Sequence, residues 1–205
     1  FSLNGHNYVL STGGTITLPY PIYAGDLSVT VPAYLSGDFK LKASAKSIDG
    51  SSESIIDNIP LNFNIEAVAQ GSDISIDSAT GTITEATGLV PVNIFINPKD
   101  TDGSEEIGAV TLFVSGNGLD SAPSFISTTG SEIKFTAFTD STFNGYSLQL
   151  DDSFYQITNN AGTKSVNITG NIKTPQYFDG EIVVRAEAVT LEVDDTSKSK
   201  IDEAS

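Results

Sequence analysis

Between Phe39 and Lys46 apolar and polar residues alternate without a break. Phe39, Leu41, Ala43 and Ala45 stand against Lys40, Lys42, Ser44 and Lys46. A period of two places the first set on the buried face of a strand and the lysines in water. After a turn at Ile48-Asp49-Gly50-Ser51-Ser52, Leu61, Phe63 and Ile65 alternate with Asn62, Asn64 and Glu66 in a returning strand. Further strand-like runs begin at Ile74, Val90, Ile107, Ile133, Tyr146, Phe154, Val166 and Glu181. None carries a sustained helical stripe. Short strands with frequent turns predict an all-β sandwich.

Composition narrows the function. The formal charge is −16, from 26 acidic and 10 basic residues. Nucleic acid and anionic membranes would repel such a chain, so neither is expected as a partner. Its own repulsion calls for bound cations. Only 18% of residues are charged and 39% are hydrophobic, too apolar for a disordered acidic tail. No cysteine is present, which rules out disulfides, thiolate metal sites and a Cys nucleophile. A cell-surface chain without disulfides needs another staple, and calcium is a candidate. Met is absent even at position 1, as expected of a processed product or an excised segment. No apolar run approaches the ~20 residues of a membrane helix, so no membrane insertion is expected.

One loop concentrates the charge. Pro98-Lys99-Asp100-Thr101-Asp102-Gly103-Ser104-Glu105-Glu106 packs four carboxylates between two predicted strands. Like charges this close repel unless a cation sits among them. Asp-x-Asp, a Gly for the turn and a following Glu suit a hard, oxygen-liganded ion, calcium rather than zinc. The competing reading is a solvated acidic turn.

The chain also repeats itself. Pro32-Ala-Tyr34-Leu-Ser-Gly37-Asp38-Phe39-Lys-Leu41-Lys-Ala43 matches Pro175-Gln-Tyr177-Phe-Asp-Gly180-Glu181-Ile182-Val-Val184-Arg-Ala186 at constant offset. Each copy precedes a Ser- and Asp-rich turn, Asp49 to Ser54 and Asp194 to Ser199. Two related modules follow. Residues 1–68 read as the C-terminal part of one, and residues 69–205 as a second that lacks its last strand. The break is the small and polar run Glu66 to Asp73. Read on from Ser205, Phe1-Ser-Leu3-Asn4 continues the pattern that Leu61-Asn-Phe63-Asn supplies in the first module. That predicts either one period of a tandem chain or subunits joined head to tail by a donated strand, since an unpaired sheet edge is costly until filled.

Asp100-Thr-Asp-Gly-Ser-Glu105 resembles the "DTDGSE" hallmark of tandem immunoglobulin-like, cadherin-like modules in giant bacterial surface adhesins of the RTX type. Pro32 to Ala43, running on to Phe63-Asn-Ile-Glu-Ala-Val-Ala69, is similar to the closing strands and linker of those modules. The resemblance spans most of residues 26–114 and recurs at 172–195. It departs at Gln70-Gly71, where the family often places an Asp. Residues 115–170 match poorly, which predicts an insertion or an altered sheet edge. The resemblance implies two tandem immunoglobulin-like β-sandwich modules acting as an extracellular spacer on the bacterial surface, stiffened by calcium at the junctions. In such a sandwich the linker, the loop after the second strand and the last turn share one pole. Glu66, Asp73, Asp100, Asp102, Glu105, Asp194 and Asp195 are then the implied calcium ligands. The implied affinity is ~10⁻⁴–10⁻³ M, as in other extracellular modules. Neighbouring modules or copies of the same chain are the implied partners, in a filament or biofilm.

An enzyme is not expected. His6 is the only histidine, and no Ser/His/Asp set, metal-His cluster or phosphate-binding Gly loop is present. Asp151-Asp152 and Asp194-Asp195 allow glycoside hydrolysis formally, but acidic turns explain them. The alternative is a calcium-dependent module that binds surface carbohydrate or peptide through aromatics such as Tyr155, Tyr177 and Phe178. Such a module would expose its rings together; a spacer would bury them.

Overall fold

The computed structural model describes residues 2–3, 6–7, 16–17, 27–28, 36–78, 88–100, 103–160, 163–193, 196 and 199–205. Among them the chain is all-β: its one helical element is a 3₁₀ turn, Asp152–Phe154. In chain order the strands are β1 (Ser2–Leu3), β2 (His6–Asn7), β3 (Leu27–Ser28), β4 (Gly37–Asp49), β5 (Ser52–Ile65), β6 (Ser72–Ser78), β7 (Leu89–Pro98) and β8 (Glu105–Gly116). Then follow β9 (Ser124–Ser127), β10 (Glu132–Lys134), β11 (Thr136–Thr139), β12 (Asn144–Leu150), β13 (Gln156–Asn160), β14 (Thr163–Lys173), β15 (Ile182–Glu192) and β16 (Ser199–Ala204).

The β4–β5 hairpin realises the opening alternation. Phe39 stands opposite Phe63, with the rings stacked at 5.4 Å, and Leu41 opposite Leu61. The expected burial is only partial. Phe39, Leu41 and Ala43 are half-buried, and Ala45 is exposed. The register slips at the same point: Ala43 faces Ile59 but Ala45 faces Ile56, so β5 carries one extra residue there. Ile48, Ile55, Ile56, Ile59 and Leu61 are also exposed.

After residue 71 two antiparallel sheets face each other. One has the order β10-β9-β14-β7-β6, with β13 also on β14; the other has the order β11-β12-β8-β15-β16. No ladder joins these to the described strands of residues 2–65. The core comes from alternate residues of both sheets: Val90, Val92, Ile94, Ile96, Val166, Ile168 and Ile172 from one, and Val110, Leu112, Val114, Leu148, Ala186 and Ala188 from the other. Each fully buried aliphatic side chain contributes about 1.5–3 kcal/mol over its exposed state. Such cores follow from strict alternation on two facing sheets.

The poorly matched stretch 115–170 builds the sheet edges. β10 and β11 are the outermost strands on that side of the two sheets, and β9 and β13 share one flank of β14 end to end. The strand expected at Phe154-Tyr155 is instead the 3₁₀ turn, and pairing starts at Gln156. Asp151 caps that turn by accepting from Ser153 N at 2.9 Å, which satisfies a donor that a strand would have paired otherwise. Phe154 and Tyr155 pack against the core from there.

The two repeated stretches fall on β4 and β15. Their constant offset aligns Asp49 with Glu192, and β4 and β15 end at those residues. After the last turn the chain forms β16, six residues long. It pairs with β15 from Ala186 to Leu191, while β8 pairs along β15 from Ile182 to Glu192 on the other flank. Ser2 and Leu3 pair on both flanks, with β2 and with β3.

Candidate metal site

The strand alternation along β15 points Ala186, Ala188, Thr190 and Glu192 inward, and all four are buried. Glu192, an ionisable side chain, therefore ends a core-facing row at 2% exposure. Its partner across the ladder is Glu105, at 1%.

A bulge aims Glu105 there. Val110, Leu112 and Val114 set the inward parity of β8, and an unbroken strand would bring Glu106 to the same face. Val189 pairs with Ala109, but Thr190 pairs with Ile107, so Gly108 is the extra residue. Parity flips at that point. Glu105 turns inward, and Glu106 turns out to meet Lys164 Nζ at 3.2 Å. A Cβ on Gly108 would come within 2.2 Å of Leu191 Cδ1, so a larger residue there would have to push that side chain aside.

Three segments meet around this pair. From the linker, the Gln70 backbone N–H donates to Glu105 Oε1. Lys99 N donates to Gly71 O at 2.8 Å, tying the acidic loop to the linker. Val193 N donates to Ser104 O at 2.8 Å, tying the last turn to the loop. Asp100 is buried at 3% in the same loop. Glu66, Asp100, Ser104, Glu105 and Glu192 all take part in bonding or electrostatic interactions. Buried carboxylates persist only when compensated, and like charges directly opposite on a ladder destabilise it.

The seven sequence-derived ligands divide as follows. Asp100 and Glu105 are buried at the pole where the three segments meet. Glu66 lies in the linker and is exposed. Asp73 is on β6, opposite Asn97, with its side chain 79% exposed and 3.5 Å from Lys99 Nζ, so it faces a cation of the protein itself. Asp102, Asp194 and Asp195 lie outside the described residues. Among the described residues, no group of three or more His, Cys, Asp or Glu has the spacing of a metal cage. Glu192 was missed in the sequence. Its alignment with Asp49, and the Ala-x-Ala-x-Thr-x-Glu row, were the available signals.

Compared with family models, curated proteins and solved structures, the chain matches none.

The residues present fit a calcium ion in chemistry. The buried polar groups at this end of the ladder are oxygens: the facing carboxylates of Glu105 and Glu192, with the orphaned buried hydroxyls Ser72 Oγ on β6 and Thr190 Oγ1 on β15. With no cysteine in the chain, no thiolate competes. When bound, calcium would supply positive charge and an oxygen-coordination shell that neutralise the carboxylates.

The aromatics of the ligand-binding alternative are mostly packed. Tyr155 and Phe178 lie against the core. Tyr155 OH donates to Asp152 at 2.5 Å, and burial followed by this bond pushes its pKa up to about 12. Tyr177 differs: it is 73% exposed and held at φ 67°, a left-handed conformation unusual for a non-glycine residue.

Proposed function

We propose that this chain is a non-enzymatic, extracellular spacer module of a bacterial surface adhesin or fibre, made stiff by calcium at the pole where its linker joins the sandwich. The observation that carries this reading is the buried cross-strand pair Glu105–Glu192 beneath the Gln70 amide. A cation there neutralises two core carboxylates and at the same time fixes the backbone that connects one module to the next. Binding energy then becomes order in the linker. The partners are neighbouring modules or further copies of the chain. No helix among the described residues is long and apolar enough to cross a membrane.

The test is thermal melting in calcium and in EDTA. A site of Kd ~10⁻⁴ M at a hundredfold excess of calcium stabilises by about 2.7 kcal/mol, worth ~5–10 °C in a domain of this size. A melting temperature indifferent to EDTA removes the metal from the proposal.

A second reading rests on Tyr177, whose exposed ring is presented in a strained conformation. It makes the module a binder of surface carbohydrate or peptide through that ring. A glycan array with wild type and Tyr177→Ala decides it: equal, featureless profiles dismiss this reading.

A further inference from the structure

The linker is gripped from a second direction, by the closing strand. On β16, Asp202 faces Ala188 and Lys200 faces Thr190 across the ladder, yet both side chains reach over to residues 70–72. Asp202 Oδ2 accepts from Ser72 N at 2.9 Å. Lys200 Nζ donates to Gln70 O at 3.0 Å. Lys99 Nζ stands 3.7 Å from Asp202 Oδ1 and 3.5 Å from Asp73 Oδ1, so one cation joins the start of the loop, the start of β6 and β16. Between them lies Gly71, at φ +88°, where a Cβ would fall 2.0 Å from Asp202 Oδ2 and 2.9 Å from Lys200 Cδ. The chain passes through a slot that only glycine fits.

We infer that Asp202 and Lys200 form a clamp that fixes residues 70–72 to the closing strand without calcium, so that linker order depends on β16 being docked. This rests on the spacer reading for its purpose but not for its geometry. Three features make the clamp distinct from the acidic pole. Its cations are lysines of the chain. Its carboxylate, Asp202, comes from a strand that contributes nothing to the Glu105–Glu192 pair. The backbone groups it satisfies, Ser72 N and Gln70 O, differ from the Gln70 N that Glu105 holds. Gln70 is therefore the hinge pin: its amide belongs to the metal pole and its carbonyl to the clamp. A module whose closing strand is absent or displaced would lose the second grip and leave its linker free to swing. In a spacer, stiffness at the N-terminal joint is thereby conditional on completion of the sheet at the C-terminal edge.

Amide hydrogen exchange on the full chain tests this, with calcium and with EDTA. Asp202→Ala should speed exchange of the Ser72 amide by about tenfold or more, the range for losing a charge-assisted bond, equally in both conditions. Gly71→Ala, which keeps Asp202 and Lys200 in the sequence but puts a methyl where their side chains lie, should do the same. Amides of β7 and β14 should stay protected in both variants, which separates local release from unfolding. In the wild type, EDTA should leave Ser72 protected. Unchanged Ser72 exchange in both variants, or Ser72 protection that vanishes with EDTA alone, overturns the clamp. If melting ignores calcium while Ser72 still responds to Asp202→Ala, the metal reading falls and the clamp stands.

Discussion

Glu105 and Glu192 face each other across the β8–β15 ladder, and both are almost completely buried. Placing them there requires one extra residue, Gly108, in β8. Replacing either glutamate by Gln removes one buried carboxylate from the pair and, on the calcium proposal, one ligand. Glu105→Gln is expected to abolish most of the calcium-dependent rise in melting temperature. In EDTA the same variant should melt at or above wild type, because two buried carboxylates no longer face each other across the ladder. Paired melting curves check both halves. A variant that keeps the full calcium response shows that Glu105 is no ligand.

Gly170 lies on β14, where a Cβ would meet Ile126 O at 2.4 Å and the Phe125 ring at 2.5 Å. The near atoms are a backbone carbonyl and a fully buried ring, neither free to yield. Gly170→Ala should therefore destabilise by roughly 1–3 kcal/mol or more, as overpacked cores do. Urea unfolding with an unchanged m-value is the measurement.

Arg185 is the only arginine, and it is packed over two rings, 4.1 Å from the Phe113 centroid and 5.1 Å from that of Phe143. Its Nη1 also lies 2.9 Å from Glu203 Oε2. A planar guanidinium can stack and pair at once; an ammonium cannot. Arg185→Lys is expected to cost about 1–2 kcal/mol, and Glu203→Gln much less, because that carboxylate is largely exposed. Denaturant midpoints of the two variants give the comparison.

The Tyr155 phenol makes stability fall in alkali. Its folded pKa is about 12, raised from 10.0 first by burial and then by the bond to Asp152. Between those values the unfolded chain ionises while the folded one resists, so protons favour the fold. The contribution is fully present below pH 10 and is lost as pH rises through 12. Urea midpoints at pH 9 and near pH 12 should converge less for wild type than for Tyr155→Phe, whose stability lacks this decline.

Much of the sandwich was legible residue by residue. Alternation at Val90 to Ile96 and at Ile107 to Val114 marked β7 and β8, and the acidic run between them marked the connecting loop. Pairing partners were not legible, since hydrogen bonds between β8 and β15 join segments far apart in sequence. The turn at Asp152–Phe154 was hidden for a similar reason: the apolar residues beside it suit a strand, and only packing on the core selects the turn.

The sequence by itself determined that this chain is all-β, strongly acidic and free of thiols, because alternation and composition act locally and need no partner. It also marked Asp100 and Glu105 as unusual. Only the tertiary structure decided which carboxylates face inward. A single bulged glycine reverses the parity of β8, and that reversal chooses Glu105 over Glu106 and sets it against Glu192. Parity is a property of a paired ladder, so no reading of one strand alone contains it.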